Sequence, residues 1–519
     1  MSILEIKENI VRSIAMYTGE KYLWWNEAER KLADEVADFS DNVIRRDVDE
    51  IERTKKFPWN WFEEMGNKGW YGAFIPEEYG GMGQGIGSTT GFCIILEEIA
   101  RGAPVAVDFY ETTIYGYSPI VRFGTEEQKR KWLPKLATGE LFAAIVITEP
   151  FMGSDAANIQ TTAVPQGDEY IINGKKRFIT LGGIANLNVV YCKTSDDPED
   201  RKDHRHLSAF VVEKGTPGFN VEAIHDPMGR FGSRHAVLNF DDVRIPKENR
   251  ILNEGDGWKV LTDALNIERI GVASGAVGTS RSAIEATADY VTRRVAFNQT
   301  LAEIPGVQTM CGDMVTRTNL ISLLVYYSAH KMDLGIDVPL GCTIAKVFAT
   351  QSLMKTVLDA VQCHGGDGYM RNYPVERLMR DSKLIEIGAG ANELMQHLVW
   401  RLWLKDYMAL RSASRKPITQ SSITGHAAKE KIMEALSDFY CQHPALYMER
   451  EEMMERLGLT GEDLDKHLEA VEAEKLVALH RKRGGITLAK ATYEGLKKTK
   501  PLENYMFFPD FVDKEREIF

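Results

Sequence analysis

The sequence lacks the features that mark membrane-spanning proteins and proteins held together by disulfides or metals. No apolar run reaches the roughly 18 residues that a membrane-spanning helix requires. The first residues, MSILEIKENIVRS, have neither an apolar central segment nor a small-residue cleavage site, so a secretory signal is not expected. The 6 cysteines are scattered without a CxxC pair or a Cys/His cluster. This spacing favours reduced cytoplasmic thiols and no metal site.

Basic charge is also in short supply. The 519 residues contain 63 Lys and Arg against 75 Asp and Glu, which gives a formal net charge of −12. This excess of negative charge disfavours general adhesion to nucleic acids or membranes. Hydrophobic residues make up 44% of the chain and charged residues 27%, an ordinary balance for a globular protein. We therefore expect a folded cytoplasmic protein of several domains, without a nucleic-acid or membrane partner.

Changes of pattern along the chain predict an α+β multidomain fold. Amphipathic patterns favour a helical domain in residues 1–141, and short β-rich runs between turn signals favour a small β-barrel or sandwich in residues 142–252. Long Ala- and Leu-rich stretches favour a four-helix bundle in residues 253–411. The small, polar residues 412–422 indicate a linker, and residues 423–519 form a different module.

A glycine-containing turn, TEPFMGSD at residues 148–155, is the first candidate for a ligand site. It follows a predicted strand, AAIVIT, and contains Gly153, Ser154 and Asp155. Backbone N–H groups and small hydroxyls in such a turn can bind a phosphate or the polar edge of a ring. An ordinary β-turn has the same composition, so the turn alone does not decide between the two.

The order of this turn and six further motifs resembles the acyl-CoA dehydrogenase flavoprotein family over residues 20–410. The motifs are PEEYGGMG (76–83), LEEIAR (96–101), TEPFMGSD (148–155), GKKRFITLGG (174–183), FDDVRIPKENRI (240–251), QCHGGDGY (362–369) and RLMRD (377–381). The resemblance implies FAD held between the β domain and the bundle. It also implies α,β-dehydrogenation of an acyl-CoA thioester, with a β-hydride passing to flavin N5. Electron-transfer flavoprotein is the implied acceptor, and a homotetramer or homodimer is the implied assembly.

The resemblance also implies which residues contact FAD. Phe178 stands where the family often has Trp, so it can stack but offers no indole N–H. Asn298 stands where the family usually has Gly, next to a segment that reaches a neighbouring subunit's FAD. The implied cofactor-binding residues are Ile147, Thr148, Gly153, Ser154, Phe178, Thr180, Arg294, Phe297, Gln362, Gly365 and Gly366.

The general base of the implied reaction is not where most of the family has it. Many members place a Glu in the final loop, and this chain has Ala389 at that position, in IGAGA. The isovaleryl-CoA and long-chain branches instead take the Glu from an "ER" pair on a bundle helix, and this chain has Glu268–Arg269 there. Glu386 and Glu393 are near Ala389 in sequence but do not align with it. We therefore expect Glu268 to be the base, since desolvation can raise a carboxyl pKa toward the working range.

Substrate contacts are implied for Ser154, Arg269, Ala389 and Gly390. The backbone N–H of Ala389 can donate to the thioester carbonyl whatever its side chain. Space near Ala389 favours a branched or cyclic acyl group. The alternatives are a flavin-dependent acyl-CoA reductase, decarboxylase or desulfinase, or a DNA- or protein-binding regulator on this scaffold. The presence of Glu268 argues against the versions of the first alternative that need no base, and the intact TEPxxGSD, GGxGY and Glu268 set argues against a regulator.

Residues 423–519 lie outside the resemblance. Three amphipathic helical segments are followed by HRKRGGITLAKA, which predicts a hairpin, and by a last helix. This order resembles a winged-helix domain. Its third helical segment, residues 460–477, holds six acidic residues and two lysines. Because phosphate contacts dominate DNA affinity, this composition favours a role in protein contacts or assembly over DNA binding.

Overall fold

A computed structural model describes residues 25–83, 86–413, 426–443, 445–482 and 485–499. Most of the predicted linker, residues 412–422, lies outside these ranges. The chain divides into two compact units between Leu404 and Lys405. Within the described ranges, no helix is both long and apolar enough to cross a membrane.

The first part of the chain is helical, as predicted. Helix α1 begins with a capping box, in which Asn26 accepts from the Glu29 backbone N–H and Glu29 accepts from the Asn26 N–H, each at 2.8 Å. Ser88 caps α4 by accepting a hydrogen bond from the Gly91 N–H, and every residue of α4 is buried. The helices are α1 Glu27–Phe39, α2 Arg45–Thr54, α3 Trp59–Asn67, α4 Thr89–Gly102, α5 Pro104–Phe123 and α6 Glu126–Ala137.

Eight strands follow and form one mixed sheet. Its order is β6-β7-β3-β2-β4-β5-β8, and β1 pairs in parallel with β4 outside this path. The strands are β1 Ala143–Val146, β2 Thr162–Gln166, β3 Glu169–Thr180, β4 Leu187–Lys193, β5 Leu207–Glu213, β6 Phe219–Ile224, β7 His235–Pro246 and β8 Arg250–Ile251. A short helix, α7 Pro198–Lys202, lies between β4 and β5.

Of the two forms predicted for the β domain, a barrel or a sandwich, the closed barrel is wrong. In the described residues, the terminal strands β6 and β8 do not pair with each other, so the sheet stays open. Strands β4 and β5 are buried along almost their whole length, whereas β6 is almost wholly exposed. Alternation in the sequence shows that strands exist, but it does not show which strand edges meet.

Long helices follow the sheet. Helix α8 packs against α4, α9 and α10. The contact with α4 requires Gly278, since a Cβ there would lie 1.9 Å from the Glu97 carbonyl oxygen. The helices are α8 Gly257–Val291, α9 Pro305–Asp333, α10 Pro339–His364, α11 Pro374–Ser382, α12 Leu384–Ile387 and α13 Asn392–Ala413. Between α8 and α9, strands β9 Val295–Ala296 and β10 Gln299–Thr300 form a hairpin.

The second unit has its own hydrophobic core. Ile432, Leu436, Leu464, Leu468 and Ala489 are buried in it. Its three strands pair in the order β11-β13-β12. The third predicted helical segment is shorter than expected, because α16 ends at Ala473 and a strand begins at Val477. The elements are α14 His426–Gln442, β11 Met448–Glu449, α15 Arg450–Leu457, α16 Gly461–Ala473, β12 Val477–Lys482, β13 Gly485–Ala491 and α17 Tyr493–Thr499.

Truncating the centre of this core tests whether the second unit has the stability of a packed domain. Leu468→Ala should lower its free energy of unfolding by about 2–5 kcal/mol, because a buried leucine leaves a cavity. Thermal unfolding followed by circular dichroism measures the change. Lys466→Ala, on the exposed side of the same helix, is the control. Equal effects of the two substitutions would contradict the described packing.

Candidate active site

Glu268 lies on α8, deep within the first unit, with its side chain still partly exposed. The carboxyl is thus mostly enclosed by protein and only partly accessible from outside. Burial raises the pKa of Glu268 to about 7, although the positive charges of Arg269 and Lys346 oppose this rise. A carboxyl with this pKa changes its protonation state near neutral pH, which suits it to proton transfer.

Glu111 on α5 is a second buried carboxyl. It faces α8 at Gly271, three residues beyond Glu268. The Tyr115 hydroxyl on α5 hydrogen-bonds to the Glu111 carboxyl and lies 2.8 Å from the Glu268 carbonyl oxygen, to which it donates. A Cβ on Gly271 would come within 2.5 Å of Glu111 Oε1, so glycine is needed here. Burial, followed by repulsion from Glu268, raises the pKa of Glu111 well above its usual range. Burial therefore favours the neutral form of the Glu111 carboxyl, which makes it a poorer candidate for the base than Glu268.

Sequence reasoning missed both Glu111 and Tyr115. One signal was available, since Asp108, Glu111 and several hydroxyl groups interrupt the otherwise apolar helix α5, PVAVDFYETTIYGYS. Polar groups in a buried helix require partners, and one partner of Tyr115 comes from α8. The sequence separation of 153 residues between Tyr115 and Glu268 left the partner unidentified.

The glycine-rich loop of residues 388–391 adopts a left-handed backbone. Ala389 has φ 55° and Gly390 has φ 92°. The Gly390 carbonyl accepts a hydrogen bond from Lys346 Nζ at 2.6 Å. Within the described residues, neither the Ala389 nor the Gly390 N–H donates to another protein group. Both N–H groups are thus available to a ligand oxygen.

The turn that begins at Ile147 rests on a buried ion pair. Lys176 Nζ on β3 lies 2.9 Å from Glu149 Oε1 and donates to the Ile147 carbonyl at 2.9 Å. Glu149 also accepts from the backbone N–H groups of Gln160 and Thr161. The Thr148 carbonyl accepts from the Arg177 N–H at 2.8 Å. Ile147 and Thr148 are therefore held in place from the interior side.

Two further predicted residues lie at the end of β3. Phe178 has φ 60° and is 54% exposed, with the Arg177 guanidinium 4.3 Å from its ring centroid. Thr180 Oγ1 is 3.1 Å from His235 Nδ1. Burial lowers the pKa of His235, although Asp108 opposes this, so the imidazole is neutral near pH 7. A half-exposed aromatic ring on a residue with positive φ is a candidate contact surface for a ligand.

The predicted glycine positions are open. No atom lies within 4 Å of a Cβ built on Gly153, Gly365 or Gly366, and Ser154 and Gln362 are exposed. Gly365 ends α10 with φ 60° and ψ −135°, a conformation that only glycine adopts readily. A ligand can approach the backbone directly at each of these glycines.

Arg294 and Phe297 lie apart, on the hairpin after α8. Phe297 and Asn298 both have positive φ and form its two-residue turn, in which asparagine is a common substitute for glycine. Phe297 is 88% exposed. Among the described residues, neither the Arg294 nor the Phe297 side chain forms a hydrogen bond, ion pair or ring contact. Within the described chain, no hydrogen bond, ion pair or ring contact joins these two residues to Phe178 or Thr180.

Replacing Lys176 tests the support beneath Ile147 and Thr148. Lys176→Met should lower the free energy of unfolding by about 3–5 kcal/mol, because it leaves the buried Glu149 carboxylate unpaired. Lys175→Met is the matched control, since Lys175 is exposed and pairs with Glu222 at the surface. Denaturant unfolding measures both variants. Equal midpoints would contradict a supporting role for the buried pair.

Comparison with known proteins gives three consecutive family matches. Residues 26–140 match the acyl-CoA dehydrogenase N-terminal domain, residues 144–243 the middle domain and residues 255–402 the C-terminal domain. The last match ends near the boundary between the two units.

Individual relatives cover the same region. An acyl-CoA dehydrogenase of Bacillus subtilis is 39% identical, over 70% of this chain and 94% of its own. An acryloyl-CoA reductase (NADH) of Anaerotignum propionicum is 35% identical, over 78% of this chain and 100% of its own. A chain from the solved structure described as the electron transferring flavoprotein of Acidaminococcus fermentans has a TM-score of 0.71 and 35% identity, over 74% of this chain and 100% of that chain.

Proposed function

Since the chain belongs to the acyl-CoA dehydrogenase family, we propose that Glu268 is the base of an acyl-CoA dehydrogenation site. The protein is an oxidoreductase that uses FAD. The observation that carries the proposal is the position of Glu268 on α8, where its carboxyl is mostly enclosed by protein yet still accessible; we propose that a substrate cleft opens at this carboxyl. Ala389, where many relatives have their carboxylate, has no group that can accept a proton.

Glu268 takes the α-proton of the acyl-CoA thioester in its ionised form. Because its pKa is raised, the carboxyl is protonated below about pH 7 and becomes competent as the pH rises through that value. The acyl group displaces water from the cleft and adds to the desolvation. Arg269 follows directly on α8 and, being buried, holds a positive charge beside the carboxylate.

The loop at Ala389 and Gly390 supplies hydrogen-bond donors. Removal of the α-proton places negative charge on the thioester oxygen, and donors aimed at that oxygen stabilise it. The N–H groups of Ala389 and Gly390 are unused by the described protein and belong to a fixed loop. Ser154, exposed beside Gly153, and Arg269 complete the proposed substrate contacts.

Residues at the end of β3 and at the end of α10 support binding of FAD. The half-exposed ring of Phe178 can stack on a planar ring, and the open glycines admit a ligand to the backbone. When bound, FAD supplies the hydride acceptor of the reaction. The residues proposed to hold it are Ile147, Thr148, Gly153, Ser154, Phe178, Thr180, Gln362, Gly365 and Gly366, with Arg294 and Phe297 reaching the FAD of a neighbouring subunit.

A second candidate function is the reverse reaction, reduction of an enoyl-CoA. The similarity to an acryloyl-CoA reductase (NADH) favours it. Protonated Glu268 would then return the α-proton, and a pKa near 7 serves either direction. An assay with saturated acyl-CoA and electron-transfer flavoprotein distinguishes the two functions. A dehydrogenase oxidises the saturated thioester in this assay, whereas a dedicated reductase would require NADH and the unsaturated thioester.

Other features of the proposal come from the resemblance and the pattern of elements. Electron-transfer flavoprotein is the proposed acceptor, a homotetramer or homodimer the proposed assembly, and a branched or cyclic chain the proposed acyl group.

The order of helices and strands in residues 426–499 supports a winged-helix-like module. On the acidic helix α16 we propose protein contacts over DNA binding. The domain boundaries near residues 141, 252 and 411 are proposals as well.

Replacing the proposed base gives the test of function. Glu268→Gln should slow anaerobic bleaching of the flavin by acyl-CoA at least about 100-fold, because the amide cannot accept the proton. A panel of straight, branched and cyclic acyl-CoA substrates identifies the substrate in the unmodified protein. Glu386→Gln is the control, since Glu386 is a carboxylate near Ala389 in sequence that pairs with Lys383. FAD content is measured in all variants, and a Glu268→Gln protein that keeps full FAD and full rate would refute the assignment.

A further inference from the structure

Lys346 on α10 is completely buried, with 0% of its surface exposed. Its ammonium group donates to the Gly390 carbonyl at 2.6 Å and to Asn392 Oδ1 at 2.9 Å. Thr350, one turn further along α10, donates to the same Asn392 oxygen at 3.0 Å. The lysine thus joins α10 to the loop of Ala389 and Gly390 and to the first residue of α13.

This buried charge is costly for the fold. Within the described part of the chain, Lys346 forms no ion pair at salt-bridge distance, and its hydrogen-bond partners are neutral. A buried ammonium without a paired carboxylate costs several kcal/mol, whereas a methionine of similar length would fill the space without that cost. A role in the site accounts for a charge at this position better than packing does.

Glu268 is the acidic group that interacts most strongly with Lys346. Burial lowers the pKa of Lys346 to about 8, and the largest opposing effect is the charge of Glu268. Two other carboxylates act on it more weakly, because Glu393 is exposed and Glu386 pairs with Lys383. Below about pH 8 the lysine is therefore charged, and it favours the ionised form of Glu268.

We propose that Lys346 is a positioning residue of the dehydrogenation site, whose buried ammonium group holds the Gly390 carbonyl and Asn392, fixes the Ala389–Gly390 donor loop and acts through its charge on the Glu268 carboxyl. The inference rests on the proposed role of Glu268 as the base. Lys346 thereby acts on both groups involved in the proton step, the donor loop and the base. It holds the donors for the thioester oxygen through the Gly390 carbonyl, and it stabilises the carboxylate that takes the proton.

Other charged or titratable groups also act on this pair. Arg269 lowers the pKa of both Glu268 and Lys346, whereas burial raises the pKa of Glu111 and favours its uncharged form. The groups that interact with Glu268 or Lys346 are Arg269, Glu111, Tyr191, Glu386 and Glu393. Since Arg269 is retained in the variants below, the effect of Lys346 can be measured separately.

The test compares Lys346→Met with Thr350→Val in the full-length FAD-loaded protein. Loss of the lysine charge should raise the apparent pKa of the base, in the pH profile of flavin reduction, by about one pH unit or more. Thr350→Val removes a hydrogen bond from the same cluster but no charge, so its pH profile should match the unmodified protein. Infrared titration of the Glu268 carboxyl, identified by its loss in Glu268→Gln, reports the same pKa without turnover.

A second variant covers the case in which Lys346→Met does not fold. Lys346→Gln loses the charge but keeps an N–H donor, and it should raise the Glu268 pKa in the same direction. An unchanged Glu268 pKa in a folded, FAD-loaded variant at position 346 would overturn the inference. Failure of the proposed function has a different signature, namely full activity of Glu268→Gln, whatever the titration shows.

Discussion

The protonation state of one buried carboxyl is the constraint on which the site depends. Burial alone would hold Glu268 in its neutral form, and the charges of Arg269 and Lys346 bring its pKa back to about 7. The fold provides this balance with three helices. Helix α8 carries Glu268, α5 approaches it closely at Gly271, and α10 places Lys346 under the glycine-rich loop. A dehydrogenase of this kind needs a carboxylate that is dehydrated yet ionised at neutral pH.

At three places in the proposed site, a buried polar side chain lies beneath a backbone or hydroxyl group. Beneath Ile147 and Thr148 lies the buried pair of Lys176 and Glu149. Beneath the Thr180 hydroxyl lies His235, and beneath Gly390 lies Lys346. In each place a buried polar side chain fixes a group that faces the ligand surface. Such interior networks reduce stability if one member is lost, but they hold the contact atoms still without covering them.

The family and the order of elements could be predicted from the sequence, and the proposal of Glu268 as the base also comes from it, for different physical reasons. Helices and strands follow from periodicity, and Glu268 follows from the joint occurrence of Ala389 and an "ER" pair. The closed barrel was wrong because alternation does not specify which outer strands pair. Glu111, Tyr115 and Lys346 were missed because their contacts join residues far apart, 153 positions for Tyr115 and 44 for Lys346. The polar residues in these helices indicate that partners exist, but not which residues the partners are.

The pH dependence of anaerobic flavin reduction by a saturating acyl-CoA tests the central claim most directly. The account predicts a rate that falls about tenfold per pH unit below an apparent pKa near 7, with this dependence absent from the residual rate of Glu268→Gln. A rate in the unmodified protein that is independent of pH between about 5 and 8 would contradict it, because a carboxyl with the raised pKa of Glu268 must titrate within that range.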